Sequence, residues 1–142
     1  MTARWGELEE DFPFDDDPAD TRYTVVVDGE VAGMVQYFEE ADPDARHADV
    51  DIFLGPRHQE QGLGTDAMRT IVRHLLEDRG HHRLTLSADV DNARAIRCYE
   101  KAGFRPVGVT HASARIPGDP RWRDELLMEL VARPDTIADG SA

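Results

Sequence analysis

Between Ala48 and Leu76 the spacing of apolar residues changes from every second position to the helical repeat, and the change falls across a loop with two glycines. His47 to Leu54 alternates as a strand, with Asp49, Asp51 and Phe53 on one face and Val50, Ile52 and Leu54 on the other. Leu63, Ala67, Met68, Ile71, Val72, Leu75 and Leu76 then line one face of a helix, and Gly80 supplies its left-handed stop. The connection, Gln59-Glu60-Gln61-Gly62-Leu63-Gly64-Thr65, opens that helix. Strand, glycine loop and helix in this order point to an α/β or α+β sheet domain. The same order leaves the first backbone N–H groups of the helix unpaired beside its positive dipole end, where a phosphate-bearing ligand binds. A Gly-x-Gly alone is a weak signal, because many βα turns use glycine only for its permitted dihedrals.

The remaining elements follow from the same rules. Tyr23 to Val27 and Val31 to Phe38 are rich in β-branched and aromatic residues, and the Asp28-Gly29 between them marks a hairpin. Glu39 to Arg46 is a polar loop. Arg83 to Ala88 alternates as a strand, and Asn92 caps a second helix that ends at Gly103. Phe104 to Val109 and Glu125 to Val131 close the sheet, joined by a loop around Pro117 to Pro120. The 142 residues make one domain, with boundaries at 21–132. Residues 1–20 form an acidic, loosely structured lead-in that Trp5, Leu8, Phe12 and Phe14 could dock, and residues 133–142 form a flexible tail.

Charge narrows the partners. The net charge is −13, and residues 1–60 hold 17 acidic against 4 basic side chains while residues 61–142 hold 12 of each. All the excess therefore precedes the glycine loop. A phosphate polyanion would be repelled, so nucleic acid is not an expected partner, and a small cationic substrate is. A solvated acidic tail accounts for part of the charge, Asp15-Asp16-Asp17 above all. No apolar run approaches a membrane span, and no basic, apolar signal region opens the chain. The lone Cys98 cannot form an internal disulfide, which suits a cytoplasmic setting and a small packing residue.

With these residues in view, the chain resembles the GCN5-related N-acetyltransferases, which transfer acetyl from acetyl-coenzyme A to amines. Gln59, Gly62 and Gly64 meet that family's loop pattern, and Asn92, Tyr99, Gly103 and Phe104 meet its second signature. Glu39 to Leu54 together with Asn92 to Phe104 is similar to the aminoglycoside 6′-N-acetyltransferase branch, a group tied to antibiotic resistance. The resemblance covers roughly residues 21–131. It implies a mixed, mostly antiparallel central sheet with splayed middle strands and flanking helices. It also implies that the family's first strand and helix are shortened or missing here, and it marks Glu60 as unusual in a loop position that is commonly small.

The resemblance further implies a site. Pantetheine would lie between the strand His47 to Leu54 and the strand Arg83 to Ala88, against the backbone around Phe53 and Leu54. Gln59 and the N–H groups of Gln61, Gly62, Leu63, Gly64 and Thr65 would hold the pyrophosphate, with Asn92 and Tyr99 also contacting the coenzyme. Asp51 would take the proton of the acceptor amine, directly or through water, and the Tyr99 hydroxyl would serve the departing sulfur. Each has a plain structural alternative: Asn92 as a helix cap, Tyr99 as a core aromatic, Asp51 as a surface carboxylate paired with an arginine. Acetyl-coenzyme A is the expected co-substrate, without a metal, and a homodimer is the expected assembly. His81-His82 reads as a surface turn, and Glu39, Glu40, Asp42, Asp44 and Asp49 read as an electrostatic lure. Two other readings remain: the same chemistry on a polyamine, siderophore precursor or protein amine, or a silent coenzyme-binding module.

Overall fold

Across its described residues (4–6, 20–55 and 62–132), the computed structural model contains β1 (Arg4–Gly6), β2 (Asp20–Val27), β3 (Glu30–Glu39), β4 (Ala48–Leu54) and α1 (Leu63–Arg73). A π-helical turn (His74–Asp78), β5 (Arg83–Asp89), α2 (Ala93–Lys101), β6 (Arg105–Ala114) and β7 (Arg123–Val131) follow. One seven-stranded sheet runs in the order β1-β2-β3-β4-β5-β7-β6. Among the described residues, only β4 and β5 are parallel neighbours. The mixed, mostly antiparallel sheet is the architecture anticipated above. It differs in one place: Arg4–Gly6, inside the expected loose lead-in, forms a strand with Trp5 opposite Val25, so a first strand is present. The rest of that lead-in and the tail 133–142 lie outside the described residues.

Local chemistry explains the turns and ends. Asp28 and Gly29 both have positive φ (51° and 82°), as a two-residue hairpin turn with the right twist demands. Asn92 accepts the Ala95 N–H at 3.2 Å and so caps α2. The last turn of the long helix widens into π geometry, where His74 lies 2.8 Å from Asp78 and 3.4 Å from the Tyr37 hydroxyl.

One face of the sheet makes the core. Val25, Val35, Tyr37, Val50, Leu84, Leu86 and Met128 are buried there with Leu63, Met68, Ile71 and Leu75 of the long helix and its π turn. The helices touch through Thr65 Oγ1, which donates to Cys98 Sγ (3.5 Å), and Arg69 Nη2, which donates to the Lys101 carbonyl (3.3 Å). The other face of β4 carries Asp49, Asp51 and Phe53, all exposed, as the alternation implied. Burial of one face and exposure of the other fixes the register, because a one-residue slip would bury both carboxylates.

Candidate active site

β4 and β5 begin as paired neighbours and then part. They are joined at Ala48 with Leu84 and Asp49 with Thr85, and no ladder continues beyond. Meanwhile β3 follows β4 as far as Leu54, and β7 follows β5 as far as Asp89. Residues 50–54 and 86–89 therefore border a gap within the sheet. The register also orients the peptides. A Cβ placed on Gly33 would lie 2.0 Å from the Phe53 carbonyl, so that carbonyl points toward β3. Alternation turns the Ile52 and Leu54 carbonyls toward the gap.

Asp51 stands on one wall of this gap. Its carboxylate accepts from Gln36 Nε2 at 3.3 Å, from the neighbouring strand, and no arginine pairs with it among the described residues. The group reaches solvent, yet the protein around it displaces enough water that desolvation is the largest influence and raises its pKa. Repulsion by Asp49 adds to that rise, while the Gln36 amide and the Ile52 backbone N–H oppose it. Asp49 in turn accepts from Thr85 Oγ1 at 3.0 Å, across the last paired rung. Gln36 and Thr85 were not foreseen from sequence; only the cross-strand register brings them beside the two carboxylates.

Tyr99 enters from α2 on the helical side. It is buried to 8% exposure and packs edge-on against Phe104, with ring centroids 6.4 Å apart. Burial pushes its hydroxyl well above the ordinary phenol pKa, and the Cys98 thiol and the Asp51 charge raise it further. The group thus stays protonated and lies within electrostatic reach of Asp51.

At the mouth of the gap, Gly62 holds φ 72° as the residue before α1 and offers no side chain to cap the helix. Asp66 N–H closes the first turn on the Gly62 carbonyl at 3.1 Å. The N–H groups of Leu63, Gly64 and Thr65 precede any intrahelical acceptor, so they form an anion-ready cradle. Gly64 has a packing role as well, since a Cβ there would stand 3.3 Å from Leu54 Cδ1 and 3.4 Å from Cys98 Sγ. Gln59 and Gln61 lie outside the described residues.

Other candidates fall elsewhere. His81 is not on a surface turn: it is 4% exposed, with Nε2 2.5 Å from Oε2 of Glu39, the last residue of β3. Glu39 also pairs with Arg79 Nη2 at 2.9 Å, so it ties helix to sheet instead of luring a ligand. Glu40 and Asp42 accept the backbone N–H groups of Asp42 and Asp44 and shape the loop. Among the described residues, no three His, Cys, Asp or Glu side chains cluster closely enough to share a metal ion, and no helix is long and apolar enough to cross a membrane.

Comparison with known proteins now bears on this geometry. An aminoglycoside N(6′)-acetyltransferase type 1 of Klebsiella pneumoniae is 33% identical over 99 residues, covering 62% of this chain and 49% of that protein. A spermidine N(1)-acetyltransferase of Escherichia coli strain K12 is 33% identical over 92 residues, covering 65% and 49%. The chain thus spans about half the length of the curated relatives it matches. The spermidine/spermine N-acetyltransferase of Vibrio cholerae solved with manganese ions superposes with a TM-score of 0.72 at 23% identity, over 89% of this chain and 72% of that one. Mycobacterium smegmatis RimJ in complex with CoA-disulfide gives 0.73 at 21%, over 80% and 54%. Both likenesses establish the fold. Residues 2–104 match the family described as acetyltransferase (GNAT), and on that match, over most of its length, the chain belongs to that family.

Proposed function

We propose that the chain transfers acetyl from acetyl-coenzyme A to the amino group of a small cationic acceptor, with an aminoglycoside-type amine as the acceptor. The parting of β4 from β5 beside the Gly62-led helix carries this reading. The gap offers peptide groups of β4 to an extended ligand, and the cradle offers N–H donors to its phosphates. Leu54 and the backbone of Gly62, Leu63, Gly64 and Thr65 would hold the coenzyme, with Phe53 and Asn92 beside it. Bound there, the coenzyme supplies an acetyl thioester.

The chain's own groups then meet two demands. An alkylammonium with a pKa near ~10.4 is neutral only about once in a few thousand molecules at pH 7, so a proton acceptor is required. Asp51 fills that role, its basicity raised by lost hydration. The departing sulfur, as a thiolate of pKa about 8.5, is a weaker base than the phenolate of Tyr99. The Tyr99 hydroxyl therefore stabilises it by donating a hydrogen bond without surrendering its own proton, and the second proton, shed by the acylated nitrogen as the C–S bond breaks, passes to that thiolate. Attack by the amine is direct, because among the described residues bordering the gap no hydroxyl or thiol is activated by a paired base.

Thiol release from acetyl-coenzyme A in the presence of aminoglycosides, spermidine and lysine-containing peptides tests the proposal. Fastest release with an aminoglycoside is the expected result. No release with any amine overturns the enzymatic reading, and faster release with spermidine replaces the acceptor. That second acceptor has a specific support: the spermidine acetyltransferase relative matches at the same 33% identity as the aminoglycoside relative.

A further inference from the structure

Asp49 precedes Asp51 by two residues on the same face of β4, about 7 Å away by the rise of a strand. It occupies the last rung at which β4 and β5 still pair. Across that rung Thr85, itself 7% exposed, donates its hydroxyl to Asp49 Oδ1 at 3.0 Å. A carboxylate held by a buried donor cannot swing away as a surface carboxylate would. Its charge sits at a fixed distance, just inside the point where the strands separate.

Among the described residues, no cation pairs with Asp49 or Asp51. Gln36 on β3 is neutral and donates one hydrogen bond. Arg22 on β2 lies beyond Gln36 in the same cross-strand row and makes its own interactions. Tyr99 on α2 stays protonated. Past Thr85 in the Asp49 row stands Glu129 of β7, which pairs with Arg83 (3.8 Å) and Arg105 (3.5 Å), so neither arginine pairs with Asp49.

We propose that Asp49, locked by Thr85, is a positioning residue for acetyl transfer whose fixed negative charge sets the basicity of Asp51. The inference rests on the reading of Asp51 as the proton acceptor. Asp49 stands one pleat from the amine and need not touch it. Its charge draws the cationic acceptor inward and makes Asp51 a better base for the proton that acceptor must lose, so one carboxylate assists both binding and deprotonation. The repulsion that Asp49 exerts on Asp51 agrees with this.

The test uses the full chain in two measurements: the pH profile of kcat/KM for the best amine, and a carbon-13 titration of the aspartate carboxyls, with the Asp51 resonance assigned by its loss in Asp51→Asn. Asp49→Asn should move both the acid limb and the Asp51 titration to lower pH, by about half a unit or more for a unit charge at this distance. Thr85→Val should move both in the same direction by less, and Thr85→Ser, which keeps the donor, should restore them. An Asp49→Asn variant whose activity falls evenly at every pH, with the Asp51 titration unmoved, overturns the inference. If Asp49→Asn does not fold, Thr85→Val carries the same test with the same two outcomes. An acid limb that persists in Asp51→Asn sinks the base assignment itself, and the carboxyl titration then decides separately whether Asp49 governs Asp51.

Discussion

The charge of Asp51 on β4 reaches the hydroxyl of Tyr99 on α2, so two polar groups from opposite faces of the sheet lie within electrostatic reach across the gap between β4 and β5. In the proposed reaction one receives a proton while the other steadies the departing sulfur. Replacing Tyr99 by Phe removes only the hydroxyl and keeps the ring against Phe104. A hydrogen bond to a charged group is worth about 1.5–3 kcal/mol, so kcat should fall about 10- to 100-fold. Steady-state kinetics should show the KM for acetyl-coenzyme A within about twofold of wild type, because the bond forms as charge develops on sulfur. Full turnover in this variant would remove Tyr99 from the mechanism.

Asp51 places activity and stability in opposition. Its pKa is raised in the folded chain, chiefly by desolvation, so the native state holds this proton more tightly than the unfolded state does. By linkage, its contribution to stability falls as pH rises through the two values and is least favourable once the carboxyl is ionised. Asp51→Asn should therefore lose activity by about 100-fold or more while raising Tm at pH 7. The gain should shrink as the pH falls from the raised folded value toward the ordinary carboxylate value, where wild type becomes protonated too. Thermal unfolding at pH 7 and pH 4 checks this, and a Tm lowered at pH 7 would contradict it.

Much of this layout was legible in the chain, for reasons particular residues make plain. Alternation from Ala48 to Leu54 put Asp49 and Asp51 on one face because strand periodicity is strictly two. Asp28-Gly29 and Asn92 announced their turn and cap because few residues satisfy those backbone demands. The partners of the carboxylates were not legible, since Gln36 and Thr85 are 15 and 36 residues away and meet them only through register. His81 misled for the opposite reason: a polar residue near a helix end looks exposed, and only its long-range hydrogen bond with Glu39 accounts for its burial. Arg4–Gly6 is too short to show periodicity, and its partner β2 defines it as a strand.

Gly62 and Gly64 separate the cradle from the packing beneath it. A Cβ on Gly62 meets nothing within 4 Å, so a side chain there points into open space at the cost of a left-handed backbone, about 1–2 kcal/mol. Gly62→Glu should keep the fold, lower Tm by a few degrees, and weaken coenzyme A binding by about tenfold or more, because a carboxylate would face the phosphates. Gly64 is a poorer probe, since a bulky residue would strike Leu54 and Cys98 and disturb the helix contact itself. Calorimetry with coenzyme A reads the first effect, and unchanged affinity in Gly62→Glu would displace the phosphate site from this turn.

Gly33 governs how closely β3 approaches β4 at the outer end of the gap. It pairs with Leu54, and any Cβ there would fall 2.0 Å from the Phe53 carbonyl and 2.9 Å from Leu54 Cα. Both obstacles are backbone, so no side-chain rotation can relieve the clash, and the strands must separate locally. Overpacking of this kind costs about 1–3 kcal/mol or more. Gly33→Ala should therefore lower stability by at least about 2 kcal/mol in urea unfolding. Separation of the strands would also turn the Leu54 carbonyl, which borders the gap, so the KM for acetyl-coenzyme A should rise. A variant that lost stability with coenzyme affinity intact would show that this end of β4 supports the sheet but not the ligand.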